Sequence, residues 1–189
     1  MRAIVNFSQT IKVQKGQPVS SLLPETFKRL KDSGIMILTS AGNKLRKEEE
    51  DLERIPPSFE SVYVVGNQGQ NHAKHHTSSC SPNIDIWAPG EKVLTMNKVG
   101  KWVRKTGTSV AAPWVSGMAA LVWGYESHTI RGVDVVWERI KQNGNASGVL
   151  NVPDDTTKLM FQTGANHPKR QPQHPYAFVG GEGYYDNTP

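Results

Sequence analysis

The sequence predicts an α/β domain built on a mostly parallel β-sheet. Three short apolar runs, Ala3-Ile4-Val5-Asn6-Phe7, Ile35-Met36-Ile37-Leu38 and Val62-Tyr63-Val64-Val65-Gly66, carry the first part of that prediction. Runs that are apolar throughout, rather than alternating, belong to strands covered on both faces, as in parallel sheets. Between the first two runs lies a helical stretch in which Leu23, Phe27 and Leu30 fall on one stripe. Strand, helix and strand joined by short links make a βαβ unit.

The remaining elements follow in order. Gln9 to Val19, with Gly16 and Pro18, reads as a loop. Ser20-Ser21 suits the start of the first helix, Pro24 its first turn, and Lys28, Arg29 and Lys31 its negative end. Lys44 to Arg54 is nearly all charged and reads as a solvated loop or an exposed helical turn, stopped by Pro56-Pro57. Residues 67–83 are polar and carry His72, His75 and His76. Ile84 to Trp87 is a short strand ended by Ala88-Pro89-Gly90, and Val93-Leu94 with Trp102-Val103 suits a small antiparallel ribbon. Ser109 to Tyr125 is the most apolar helix of the chain, with Ala111, Ala112, Gly117, Ala119 and Ala120 permitting close backbone approach. Val133, Val136, Trp137 and Ile140 form the apolar face of a further helix ended by Gly144. Val149 to Val152 and Lys158 to Phe161 read as closing strands or extended segments. Residues 1–164 thus form one domain. Residues 165–189, rich in Pro, His, Gln, Gly and Tyr, read as a disordered or loosely attached tail, whose His167 and His174 are too isolated to bind a metal.

Composition narrows the function classes. The net charge is +5 over 189 residues, but the cations are scattered, with no dense stripe interleaved with aromatics; this argues against a nucleic-acid surface. No apolar run approaches the ~18 residues of a membrane span, so no membrane partner is expected. The start MRAIVNFSQT lacks the pattern of a signal peptide. The single cysteine, Cys80, cannot form an internal disulfide and reads as a loop thiol.

The string Gly107-Thr108-Ser109-Val110-Ala111-Ala112-Pro113-Trp114-Val115-Ser116-Gly117 carries chemistry. A serine stands where a loop turns into a buried helix, and helix N-termini present unpaired N–H groups and a positive dipole end. The glycine before it allows the bend and the approach of a substrate. Over residues 107–121, GTSVAAPWVSGMAAL resembles the nucleophile motif of the subtilases, the subtilisin-like serine proteases. ILTSAGN, ending at Asn43, resembles the family's oxyanion segment, and IDIWAPG, residues 84–90, its strand and turn before the nucleophile loop. VNFSQT resembles its substrate-lining strand, and SGVLNVPDDTTKLMFQTG, residues 147–164, the C-terminal end of proteinase K-like members.

The resemblance implies a doubly wound, mostly parallel sheet of the subtilisin-like fold, here without its N-terminal strands, so that Met1 to Phe7 becomes an exposed edge. It implies a serine endopeptidase acting on peptide or protein substrates. Ser109 matches the nucleophile and Asn43 the oxyanion donor; Ser40, Ala41 and Gly42 match one wall of the primary specificity pocket, and Ser8 the opposite wall. At that wall the family usually has Ser-Leu-Gly, where this chain has Ser8-Gln9-Thr10. No cofactor is expected, and no metal site is assigned because no ligand motif matches. Members of the family are mostly secreted or vacuolar, and the sequence gives no reading of oligomeric state.

The family order is Asp, then His, then Ser. No histidine precedes Asn43, and Asp32 ends a helix rather than a strand. None of His72, His75, His76 and His128 lies in a motif that would aim it at Ser109. The expectation is a truncated catalytic domain without the catalytic Asp and His; the alternative is a non-catalytic pseudoprotease that binds peptides or partners. Asn145-Ala146-Ser147 fits an N-glycosylation acceptor, relevant only to an exported chain.

Overall fold

The computed structural model describes residues 3–44, 52–126 and 131–163. The tail from 165 to 189, His128 and most of the charged run after Lys44 lie outside the described residues. In chain order the elements are β1 (Ala3–Phe7), β2 (Ile11–Gln14), α1 (Leu22–Asp32), β3 (Ile35–Ser40), β4 (Leu52–Ile55), β5 (Tyr63–Gln68), β6 (Ile86–Pro89), β7 (Val93–Met96), β8 (Trp102–Lys105), α2 (Thr108–Tyr125) and α3 (Val133–Asn143).

β1, β3, β5 and β6 form a wholly parallel sheet in the order β1-β3-β5-β6, so β1 lies at an edge. Helices cover both faces, and the strands sort their side chains by alternation. Met36, Leu38, Tyr63, Val65, Ile86 and Ala88 join α2 and α3 in one core layer. Ile37, Val64 and Trp87 face the other way, with Val149, Met160 and α1's Phe27 and Leu30. The continuous apolar runs of β3 and β5 are explained by this two-sided burial, whereas β1 is partly exposed at the edge.

The sequence-derived helices agree with the structure to within a residue or two at their ends, the usual scatter of helix termini. Val133, Val136, Trp137 and Ile140 are all buried, each side chain contributing ~1.5–3 kcal/mol by leaving water. Trp137 stacks on Tyr63, ring centroids 4.5 Å apart.

Two expectations need correction. The stretch read as a loop contains β2, and the end of the charged run contains β4; the two pair antiparallel, Ile11 against Ile55 and Lys12 against Arg54. β2 is mostly exposed, so it carries no apolar run to betray it. The segments 149–152 and 158–161 run extended but form only isolated bridges, Ala73 to Leu150, Trp87 to Met160 and Asn145 to Met160. The expected ribbon is present as β7 and β8.

Candidate active site

The carboxyl ends of parallel strands gather at one end of the sheet, where open α/β proteins place their ligands. Ser8 follows β1, Ser40 to Asn43 close and follow β3, and Gly90 follows β6. The N-terminus of α2 is set against them.

Asn43 is pinned by its backbone and its oxygen. Arg54 Nη2 donates to the Asn43 carbonyl at 2.8 Å. Asn43 Oδ1 accepts from the Thr108 N–H at 3.1 Å, and Thr108 Oγ1 lies 3.3 Å from the same oxygen. With Oδ1 so committed, Nδ2 is left beside the turn at Gly107. Gly107 makes this approach possible: its φ of +153° is a conformation side chains rarely adopt, and a Cβ there would stand 3.1 Å from Nδ2. Gly107 N–H donates to the Gly90 carbonyl at 2.8 Å, fastening the turn to β6.

Ser109 is the second residue of α2 and is exposed. Its Oγ donates to the Ser8 carbonyl at 3.4 Å, and Ser8 Oγ donates back to the Ser109 carbonyl at 3.4 Å. The second contact has a cause in the sequence. Pro113 lies inside α2, four residues on, and has no N–H to offer the Ser109 carbonyl. That carbonyl, excused from the helix ladder, accepts from Ser8 instead. The proline sits in the second turn of the helix. Asn6, a residue sequence reasoning passed over, extends the link: Asn6 Nδ2 donates to Ser8 Oγ at 3.3 Å, and Ser116 Oγ lies 3.2 Å from Asn6 Oδ1. A polar residue within an otherwise apolar strand was the available signal.

The other wall residues are dispersed. Ser40 is fully buried, Ala41 borders a cavity, and Gly42 packs beneath the side chain of Arg54. A Cβ on Gly42 would stand 2.5 Å from Arg54 Cδ, so only glycine fits under that side chain. The cavity encloses about 630 Å³ and is bordered by Ala41, Lys44, Arg54 and Ser79 among others. Arg54 was missed in the sequence because it stood in a run that read as solvated charge.

Deeper in the same end, Asn67 is fully buried and neither side-chain polar atom has a partner among the described residues. Its Oδ1 lies so close to Gly90 that a Cβ there would clash with it. The described histidines bond elsewhere: His75 Nδ1 lies 2.8 Å from Thr77 Oγ1, and its ring packs on His76. Burial, then the neighbouring His76, push the His75 pKa down. No hydrogen bond joins any described histidine to Ser109, and Asp32 pairs with Lys28 at 2.6 Å. No group of three or more metal-ligating side chains occurs among the described residues. No helix among the described residues is long and apolar enough to cross a membrane.

Comparison with known proteins gives a consistent picture. The family model described as "Subtilase family" matches residues 2–144. A Subtilisin-like protease 1 of Arthroderma gypseum is 29% identical over 182 residues, covering 92% of this chain and 35% of its own length. That of Trichophyton equinum is 28% identical over 171 residues, covering 88% and 32%. Among solved structures, a cold adapted subtilisin-like serine proteinase superposes with a TM-score of 0.67 at 21% identity, over 83% of this chain and 53% of that one. A protease from Pseudoalteromonas arctica gives 0.70 at 20% identity, over 85% and 49%. The chain thus spans about a third of the length of these curated relatives and about half of these solved chains.

Proposed function

We propose, from the premise that this chain belongs to the subtilase family, that its residues 1–164 are the nucleophile-bearing part of a serine endopeptidase domain. The family implies protein or peptide substrates. In this reading Ser109 Oγ attacks a peptide carbonyl, and the oxyanion that forms accepts hydrogen bonds from Asn43 Nδ2 and the Ser109 N–H. The observation that carries it is the fixing of Asn43 Oδ1 by Thr108 at 3.1 Å. It leaves the amide nitrogen as the donor facing the nucleophile turn, set in place before charge develops. Ser8 and Ser40 to Gly42 are the walls between which the substrate side chain lies.

The Ser109 proton needs an acceptor that is a base. Its partner in this chain is the Ser8 carbonyl at 3.4 Å, and a carbonyl oxygen cannot take a proton at neutral pH. A serine without a base is a weak nucleophile; in subtilisin, loss of the histidine costs about 2 × 10⁶ in kcat. This 189-residue chain by itself is therefore expected to hydrolyse peptides extremely slowly. That same carbonyl contact favours a second reading, a non-catalytic module that binds peptides along the same walls.

A fluorophosphonate probe tests whether Ser109 is activated in this chain. Labelling that disappears in Ser109→Ala and slows in Asn43→Leu identifies an activated serine with its oxyanion donor. The slowing is expected near the ~10²–10³-fold cost of removing the equivalent donor from subtilisin. Absence of labelling in the unsubstituted chain means that Ser109 is unactivated in it, as expected both of a nucleophile-bearing part without its base and of the binding module.

A further inference from the structure

The hairpin of β7 and β8 turns its apolar side to water. Met96 pairs with Trp102 and Leu94 with Arg104 across the two strands, so alternation puts these four side chains on one face. Leu94, Met96 and Trp102 are 55, 54 and 66% exposed, while Val93, Thr95 and Val103 on the other face are half-buried. Val99, in the turn between the strands, is 66% exposed. At the base of the hairpin the exposed Trp114 of α2 borders one groove with Leu94. A half-buried antiparallel pair ordinarily keeps its polar side chains outward. Neighbouring exposed apolar groups of this kind mark a docking surface.

Charge says what docks there. Residues 91–106 hold five cations, Lys92, Lys98, Lys101, Arg104 and Lys105, against one carboxylate, Glu91. All five are exposed. Glu91 lies 4.0 Å from Lys92 Nζ, and among the described residues no carboxylate pairs with the other four. Two copies meeting by this face would set like charges together, and protein interfaces are poor in lysine. A bilayer with anionic headgroups suits both halves of the surface. Its interfacial layer takes Trp, Met and Val, and lysine stems can lie along it with their ammonium groups at the phosphates. The turn also satisfies its own backbone. Asn97 Oδ1 accepts from the Val99 and Lys101 N–H groups at 3.0 Å each, the Gly100 N–H donates to the Asn97 carbonyl at 3.0 Å, and the Asn97 N–H donates to the Lys101 carbonyl at 2.9 Å. The tip can therefore enter a poorly hydrated layer without stranding these donors.

We infer that the β7–β8 hairpin docks on an anionic lipid bilayer, tip first, with Met96, Val99 and Trp102 in the interfacial layer and Lys98 and Lys101 on the headgroup phosphates. The contact is peripheral and needs no spanning helix. Only Thr106 separates β8 from Gly107, so docking holds the Ser109 turn close to the bilayer, whatever the reactivity of that serine.

The test is co-sedimentation of the 189-residue chain with phosphatidylcholine vesicles, plain or with about 30 mol% phosphatidylserine. The anionic vesicles are expected to bind at least about 10-fold tighter, and about 0.5 M NaCl should remove most of that difference. Lys98→Ala with Lys101→Ala should weaken binding about 30-fold, and Trp102→Ala about 10-fold. Phosphatidylcholine brominated in its acyl chains should quench tryptophan emission, and Trp102→Phe should remove most of the quenching. Far-UV circular dichroism checks that the variants fold. No binding to the anionic vesicles overturns the inference. Binding that survives both the lysine and the Trp102 substitutions assigns it to another surface and overturns it equally. Loss in the lysine variant alone, without quenching, means adsorption by charge and overturns the docking of the apolar face. Self-association in sedimentation velocity that Trp102→Ala abolishes means that a second copy covers the face instead.

Discussion

The two ends of the parallel sheet are built on opposite terms. At the amino end the polar groups are paired closely. Tyr63 Oη donates to Asp134 Oδ1 at 2.8 Å, the Val64 N–H donates to Asp85 Oδ2 at 2.7 Å, and Lys31 Nζ lies 3.5 Å from Asp134. At the carboxyl end the backbone turns are fastened closely, but the contacts of the nucleophile turn itself are long and Asn67 is under-paired: two bonds of 3.4 Å between Ser8 and Ser109, a buried Asn67 without side-chain partners among the described residues, and Gly42 and Gly107 at positive φ. One end holds the sheet and its helices together. The other keeps polar atoms uncommitted at a stability cost, which is what a reactive surface requires.

The sharpest test of this contrast is Trp137→Ala, which removes the partner stacked on Tyr63. A loss of ~3–5 kcal/mol is expected in urea unfolding. A loss below about 1 kcal/mol would mean that the amino end is not where the stability resides. Next comes pH. Burial raises the Asp85 carboxyl from 3.8 to about 6, against the lowering effects of the Val64 N–H and of Lys141 and Lys31. The folded protein then holds this proton more tightly than the unfolded chain. Its contribution is fully present below about pH 3.8 and is lost as pH rises through about 6. Asp85→Asn should therefore flatten the stability profile between these values, by roughly 3 kcal/mol relative to the unsubstituted chain. Parallel profiles would show that Asp85 does not titrate abnormally.

At the carboxyl end, Gly107→Ala places a side chain at a φ of +153° and against Asn43. It should cost about 1–3 kcal/mol, read by thermal unfolding. Asn67→Ala should have the smallest effect. Removing an unpaired buried amide relieves a desolvation penalty that offsets the small cavity left behind, so the urea midpoint should stay within about 1 kcal/mol of its starting value. A larger loss would show that Asn67 is well paired after all and would weaken the contrast between the two ends.

Legibility in the sequence followed the same division. β3, β5 and α3 could be read because two-sided burial writes an unbroken apolar run, and one-sided burial writes a stripe, as Val133, Val136, Trp137 and Ile140 do; β1 keeps an apolar run although it lies half-exposed at the sheet edge. β2 and β4 could not, since a largely exposed ribbon leaves no such record. The candidate site was legible where a motif spans consecutive residues, as around Ser109. The adjacency of Asn43 and Thr108 followed from that resemblance rather than from any local pattern. The placement of Arg54 on Gly42 depends on a strand pairing and had no signature in the charged run.

Pro113 has a mechanical consequence. In an uninterrupted helix, each residue of the first turn is tethered through its carbonyl to the residue four further on, so moving one strains the whole rod. Ser109 lacks that tether, and its carbonyl accepts from the Ser8 hydroxyl at 3.4 Å instead. A ligand that draws Ser109 outward works against this soft spring rather than against the body of α2. The reactive residue is compliant while the helix that carries it stays rigid.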